Sequence, residues 1–262
     1  GDNNLYAGST AGDSLTSGTN NFLAGLNAGT ALTDGTYNVA LGSGALDAAA
    51  STSYSIAIGA NAMGVGVVTG VDNIAIGQGA GNDLTSATNS VFIGKDAGAN
   101  ATTGAQNIAI GGGGGTLAPM GGGVTTGGNN TTLNASAGYA LTSGTDSVFI
   151  GRNAGKTITT GSYNVAVGYG AIGRYASANP TYTVAIGASA IGAGAATGAN
   201  NVAIGRNAGN DLTSGASNVF IGAYAGDFAA FATGSNTMAL GNGATPSAAD
   251  VSNEITLGDG SI

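Results

Sequence analysis

The stretch NVAIGRNAGNDLTSGASNVFIG, residues 201–222, begins with the phrase Asn-Val-Ala-Ile-Gly and returns to it 17 residues later as Asn-Val-Phe-Ile-Gly. Nearly the same stretch, NIAIGQGAGNDLTSATNSVFIG, occupies residues 73–94. A phrase that returns at a fixed interval indicates a repeat architecture, in which each repeat buries its apolar residues against its neighbours. This periodicity decides the fold class.

The glycine that closes each phrase defines position zero of a coil. Nine of the fourteen spacings between successive coils are 17 residues, and the others are 18, 19 or, once, 23. Because Asn is the residue after glycine that most readily adopts a positive φ, the exception Asn134 predicts a left-handed corner at this position. The fifteen corners are Gly8, Gly25, Gly42, Gly59, Gly77, Gly94, Gly111, Asn134, Gly151, Gly168, Gly187, Gly205, Gly222, Gly241 and Gly258.

The residues before each corner alternate with a period of two, which indicates a strand. Positions −3 and −1 are mostly Val, Ile and Leu and are expected to fill the inside of the coil. Position −4 is most often Asn, which predicts a ladder of stacked amides. Ala at +3 and Leu or Ile at +7 are further anchors. The sequence therefore predicts an all-β, parallel β-solenoid of about 15 coils of ~17 residues, forming one repeat domain over residues 1–262.

Position −2 is expected to point away from the coil interior, yet none of its fifteen residues is charged. A continuous apolar stripe exceeds what soluble monomers usually expose, so other copies of the chain are expected to cover it. A threefold arrangement is a natural closed form for rods packed side by side. The predicted trimer-interface residues include Ala75, Phe92, Phe149, Ala166, Ala203 and Phe220.

Composition excludes several classes of function. The 262 residues contain 51 glycines but no cysteine and no histidine, which removes thiolate chemistry and the commonest general base and metal ligand. With 13 acidic and 5 basic residues the net charge is −8, which argues against nucleic-acid binding. No apolar run is long enough for a membrane span. The sequence predicts no enzymatic centre, no metal and no cofactor.

The phrase N-[VI]-A-[IL]-G-x-x-A resembles the head repeat of the YadA-type trimeric autotransporter adhesins, and the longer coil with LTSG resembles a form of that repeat found in bacteriophage tail fibres. The segment SNTMALGNGATPSAADVSNEITLGDGSI resembles the end of such a fibre shaft, before a self-cleaving chaperone domain. The resemblance covers essentially the whole chain and implies a trimer of left-handed parallel β-rolls.

The function expected from this resemblance is structural and host-recognising: the shaft or distal segment of a phage tail fibre, in the virion and outside the cell. The alternative is the head of a bacterial adhesin on the cell surface. Expected partners are two further copies of the chain, a glycan or protein of the host surface, and other virion proteins. A glycan-cleaving tailspike would need two carboxylates about 5–9.5 Å apart, and ice binding by threonine rows is a weaker possibility.

Receptor binding is expected where coils exceed their minimum length, because loop insertions carry function more often than the repeat does. The longer loops span residues 112–133, which contain Leu117, and residues 172–183 and 226–235. An aromatic face beside a planar polar group is a common sugar-binding arrangement. The candidate receptor-binding residues are Arg174, Tyr175, Tyr182, Phe228 and Phe231.

Overall fold

A computed structural model describes residues 3–113, 118–173, 178–227 and 233–258. Each coil contributes one three-residue strand at positions −3 to −1, as the alternation predicts, and the described ranges contain no helix. The strands are β1 (Leu5–Ala7), β2 (Phe22–Ala24), β3 (Val39–Leu41), β4 (Ile56–Ile58), β5 (Ile74–Ile76), β6 (Val91–Ile93), β7 (Ile108–Ile110), β8 (Thr131–Leu133), β9 (Val148–Ile150), β10 (Val165–Val167), β11 (Val184–Ile186), β12 (Val202–Ile204), β13 (Val219–Ile221), β14 (Met238–Leu240) and β15 (Ile255–Leu257).

The chain forms two compact units, Gly1–Ala135 and Ser136–Ile262. Strands β1–β8 of the first unit pair in sequence order, and so do strands β9–β15 of the second. All of these pairs are parallel and in register, for example Ala40 opposite Ala57. The predicted all-β parallel β-solenoid is confirmed, with about fourteen turns.

Backbone hydrogen bonds run mainly from one coil to the next. The Gly42 N–H donates to the carbonyl of Ala24 over 2.8 Å, and the Gly59 N–H donates to Leu41 over 2.8 Å. Outside the strands the same pattern continues, since Gly29 donates to Ala45 over 2.9 Å and Ala31 to Asp47 over 3.0 Å. The stacking of coils thus provides hydrogen-bond partners for the backbone of the turns as well as that of the strands. A chain rich in glycine can therefore adopt an ordered structure.

The corner at position zero has a positive φ in all fifteen coils, from 74° at Gly258 to 147° at Gly111, and Asn134 adopts 88°. The predicted left-handed corner is therefore confirmed. A second constraint acts there as well. A Cβ on Gly42 would lie 2.7 Å from the carbonyl carbon of Gly59 in the next coil, so stacked corners approach too closely for a side chain.

The predicted orientation of the strands is wrong: position −2 points into the coil, and positions −3 and −1 point out. In a single chain, Ala40, Ala57 and Ala109 have no exposed surface, whereas Ile108 and Ile110 are 37% and 38% exposed. The residues assigned to a trimer interface are thus interior residues of their own coil. Ala75, Phe92, Phe149, Ala166 and Ala203 are fully buried, and Phe220 is 2% exposed.

The reversal follows from the small cross-section of a 17-residue coil. The inside also receives Ala at +3, for example Ala28 and Ala62, and the anchors at +7 such as Leu84 and Leu141, all of them fully buried. Little space is left for two β-branched side chains per strand. Ala at −2 therefore points inward, and Val and Ile occupy the outer side of the sheet, where β-branched residues fit the pleat well.

The interior of most coils is filled either by a large residue at position +4 or by one at position −2, position +7 or both. Where +4 is large, as at Leu46 and Met63, position −2 is Ala and position +7 is Ala49 or Gly66. Where −2 is Phe or Leu, position +4 is Gly. A Cβ on Gly29 would lie 3.0 Å from Leu23, and one on Gly155 would lie 2.6 Å from Phe149. In these coils a large residue at one interior position is thus matched by a small residue at another.

A large residue at −2 also needs glycine in the preceding coil. A Cβ on Gly209 would lie 2.7 Å from Cδ2 of Phe220, which belongs to the next coil, and a Cβ on Gly81 would lie 3.2 Å from Cδ2 of Phe92. After the coils with Leu46 and Met63, position −2 is Ala57 and Ala75. Neighbouring coils are therefore matched to each other, not interchangeable.

The asparagines at position −4 form a buried ladder, but their partners are mostly backbone groups. Oδ1 of Asn38 accepts from the N–H of Ser55 over 3.0 Å, and Nδ2 of Asn38 donates to the carbonyl of Thr52 over 2.8 Å. Asn218 accepts from Thr237 and donates to Gly234, over 2.9 Å each. Direct amide–amide bonds join Asn4, Asn21 and Asn38, at 3.1 Å. The ladder thus fastens each coil to the backbone of the next.

Candidate functional site

The side chains at positions −3 and −1 form one apolar surface on each unit, called here the outer face. Every residue of the outer face is apolar except Thr131. Most are half-buried by their neighbours on the sheet, and Ile150, Ile186, Ile204 and Ile221 remain 36–40% exposed. A row of such residues on strand after strand is a patch of the kind that marks an interaction surface.

One edge of the outer face carries most of the described basic residues. Lys95, Arg152 and Arg206 all occupy position +1, directly after the corner. The guanidinium carbon of Arg206 lies 4.7 Å from the ring centroid of Tyr224, which is at position +2 of the next coil. Arg206 is thus held over an aromatic face, a contact that favours a cation.

The opposite edge is formed by position −5, called here the −5 row. All fifteen residues of this row have a φ between 53° and 62°. Nine of them are Asn or Asp, the residues that best tolerate this backbone, but four are tyrosines. Tyr37 stacks on Tyr54 with centroids 5.1 Å apart and planes 9° apart, and Tyr163 stacks on Tyr182 at 4.7 Å and 0°.

One of the five candidate receptor-binding residues, Tyr182, lies within the described part of the chain. Arg174, Tyr175, Phe228 and Phe231 lie outside the described residues, as does Leu117. Tyr182 is described, and it is 58% exposed beside Tyr163. Tyr182 is a candidate because it lies in a long loop, but its backbone conformation is the one shared by the whole −5 row.

The tyrosine pairs are absent from the sequence-based prediction, which considers the strand, the corner and the anchors at +3 and +7 but not position −5. The signal was present: each of the four tyrosines comes immediately before the position −4 residue of its coil, and two consecutive coils carry it each time. A row of Asn and Asp interrupted by paired tyrosines is visible once that position is aligned.

The carboxylates do not gather into a metal site. The described residues hold no group of three or more His, Cys, Asp or Glu side chains suited to a metal ion. Burial raises the pKa of Asp211, and burial together with the charge of Asp211 raises the pKa of Asp227. Neither of these two aspartates lines the groove of about 220 Å³ along Ser217, Val219, Asn236 and neighbouring residues.

Threonines at position +8 stack in pairs of consecutive coils, not in every coil. Their hydroxyls are engaged with the protein: Thr16 donates to the Thr33 carbonyl over 3.0 Å, and Thr142 donates to Thr159 over 3.0 Å. Thr85 donates to Thr102 over 3.1 Å. Because these hydroxyls donate to carbonyls of the next coil, the row is explained as part of the scaffold.

Comparison of the chain with protein-family models, with curated proteins and with solved structures finds no match. Within the described ranges, no helix has the length and apolar character needed to cross a membrane. The inference of function therefore rests on the coil, its outer face and the two edges of that face.

Proposed function

We propose that the chain is a structural and attachment protein: a homotrimeric shaft or distal segment of a phage tail fibre that binds a bacterial surface. The resemblance of the coil phrase to tail-fibre and adhesin repeats motivates this proposal. The single observation that supports it best is the outer face, because a solenoid that is already closed inside each chain still leaves Val, Ile and Leu outside on strand after strand.

Three copies arranged around an axis parallel to the stack would each turn the outer face toward the others. A cyclic arrangement of this kind buries the apolar side chains of positions −3 and −1 near the axis.

A role without catalysis fits the chemistry of the chain. The sequence lacks His and Cys, so acid–base or nucleophilic work would fall to carboxylates. Among the described carboxylates, Asp211 and Asp227 are the pair in which one charge raises the other's pKa. Neither of them lines the groove along Ser217 and Asn236 or the small cavity beside Phe220 and Pro246. We therefore propose binding and mechanical roles, and the resemblance to tail-fibre repeats supports a location in the virion, outside the cell.

Two measurements test the proposal. Sedimentation equilibrium of the purified chain is expected to give three times the 24.5 kDa mass of one chain. Fluorescently labelled protein is expected to adsorb to the surface of a susceptible bacterium and to compete with phage adsorption. A monomeric protein that adsorbs to none of a broad panel of bacteria would contradict the proposal.

A triple Ala substitution of Arg174, Tyr175 and Tyr182 tests the original receptor-binding candidates within that assay. If this loop carries recognition, the variant should remain trimeric and lose adsorption. Adsorption equal to that of the parent would move recognition elsewhere.

A further inference from the structure

The tyrosines of the −5 row occupy a backbone conformation that is costly for them. Tyr37, Tyr54, Tyr163 and Tyr182 have φ values of 59°, 56°, 60° and 53°, where most coils use Asn or Asp. A large side chain in the left-handed region is unfavourable, and such residues persist where something else requires them. The same departure occurs once in each unit, each time as a pair on consecutive coils.

Stacking alone is a weak reason for the pairs. One ring–ring contact stabilises a protein by less than two left-handed tyrosines destabilise it. About half of the surface of each tyrosine is exposed: 53%, 57%, 49% and 58% for Tyr37, Tyr54, Tyr163 and Tyr182. Burial of the rings inside the chain therefore does not account for them.

The rings of each pair lie nearly parallel, with centroids 5.1 Å apart in Tyr37 and Tyr54 and 4.7 Å apart in Tyr163 and Tyr182. Each of these tyrosines keeps about half of its surface exposed. Each pair is thus an amphipathic platform that spans two coils.

Polar groups flank both platforms along the same row. Asn20 precedes Tyr37, and Asp72 follows Tyr54; Asp146 precedes Tyr163, and Asn200 follows Tyr182. The row is regular, since the Tyr54 N–H donates to Thr36 over 2.9 Å and the Asn200 N–H donates to Thr181 over 3.0 Å in the equivalent bond. Each platform has one amide and one carboxylate at its ends.

We propose that the tyrosine pairs are two binding sites of similar composition for neutral carbohydrate. The apolar C–H face of a pyranose ring would lie on the tyrosine rings, and its hydroxyls would bond to the flanking amide and carboxylate. The carboxylate at each site and the net charge of −8 disfavour acidic sugars. This inference deepens the proposed attachment function and rests on it for its biological setting.

Substitution by Asn tests the sites without disturbing the coil, because Asn is the commonest residue of the row. Three variants are needed: Tyr37→Asn with Tyr54→Asn, Tyr163→Asn with Tyr182→Asn, and all four together. Tyr224→Asn is the matched control, since Tyr224 also has a φ of 60° and is 37% exposed but lies at the other edge of the outer face.

The probes are maltoheptaose and neutral mannan and galactan fragments, with polygalacturonate as the acidic comparison. Saturation-transfer NMR with irradiation of the aromatic protons reports contact between tyrosine rings and sugar C–H groups, and calorimetry gives the number of sites. We expect one or more neutral sugars to bind, each double variant to halve the number of sites, and the quadruple variant to weaken binding about tenfold or more.

Several outcomes would overturn the inference: no binding of any neutral probe, equal binding by the quadruple variant, or an equal loss in Tyr224→Asn. A fall in oligomer mass in the quadruple variant would also overturn it, because the tyrosines would then belong to an interface between copies. If the parent binds no sugar but both the parent and the quadruple variant adsorb to bacteria, the result contradicts the carbohydrate sites and agrees with the attachment function.

Discussion

Phe92 and Gly98 of the same coil share one interior space: a Cβ on Gly98 would lie 2.9 Å from Cγ of Phe92. Leu46 fills the equivalent space in another coil, where position −2 is Ala40 and position +7 is Ala49. Coil six also has alanine, Ala101, at position +7. The two coils are thus alternative solutions to one packing problem, and one can be converted into the other.

Gly98→Leu alone is expected to destabilise the protein by about 1–3 kcal/mol through overpacking, and Phe92→Ala alone by about 3–5 kcal/mol through a cavity. The double variant should recover a large part of the summed loss, because it recreates the Ala40 and Leu46 arrangement. Guanidinium unfolding of the four proteins in a double-mutant cycle measures the coupling. Additive losses would show that the two residues do not compete for space.

The asparagine ladder predicts a graded effect at Asn38. Asn38→Ala removes the acceptor of the Ser55 N–H and the donor to the Thr52 carbonyl, and leaving these buried groups unpaired costs about 1–3 kcal/mol each. Asn38→Ser should cost less, since serine at the same position accepts from the next coil in the pair Ser90 and Asn107, at 3.2 Å.

Thermal unfolding of these variants is the measurement, with Thr160→Ala as the control. Thr160 is exposed, and the bond that its backbone N–H donates to Asn179 is retained by Ala. Equal melting temperatures for Asn38→Ala and Thr160→Ala would contradict a structural role for the ladder.

Adjacent residues of β12 test the two sides of the sheet. Ala203→Lys places an unpaired charge in a fully buried position and is expected to prevent folding of the coil itself. Ile204→Lys places the charge on the outer face, so the β-signal in circular dichroism should persist while the oligomer mass in sedimentation falls. Ser214→Lys, in an exposed turn, should alter neither property.

An unchanged oligomer mass in Ile204→Lys would show that the outer face is not the interface between copies. A folded Ala203→Lys protein would instead contradict the inward orientation of position −2.

Asp227 predicts a pH-dependent stability. Its pKa is raised from 3.8 by burial and by the charge of Asp211, so the folded state binds the proton more tightly than the unfolded state does. The charged form therefore destabilises the fold at pH values above the raised pKa, and this penalty disappears as the pH falls through that pKa toward 3.8. Asp227→Asn should raise the melting temperature at pH 7, with a gain that shrinks on acidification.

Asp13→Asn is the matched control, because Asp13 holds the same coil position but is exposed. A lower melting temperature for Asp227→Asn at pH 7 would contradict the penalty. Glu254 has the opposite sign: hydrogen bonds from Ser247 lower its pKa from 4.5, so its contribution is present above 4.5 and is lost as the pH falls through the lowered value.

The sequence predicted the coil length, the strands and the corners because each depends on local backbone constraints that repeat. The predicted orientation of the strand was wrong, because it followed the greater hydrophobicity of Val39 and Leu41 over Ala40 and not the small volume inside the coil. The apolar stripe was recognised but placed on the wrong residues. The tyrosine pairs depend on neighbours 17 to 19 residues apart, so they become evident only when the row is aligned.

The matching of neighbouring coils limits how such a chain can grow by duplication. A coil with Phe at position −2 must follow a coil that has Gly at position +4. If such a coil were duplicated alone and placed directly after the coil that contains Met63, its Phe would clash with Met63. The near-identical stretches 73–94 and 201–222 each carry both members of a compatible pair: Gly81 with Phe92, and Gly209 with Phe220. Recombination within the gene is therefore expected to preserve coils as ordered pairs, and the surviving copies would keep their sequence order.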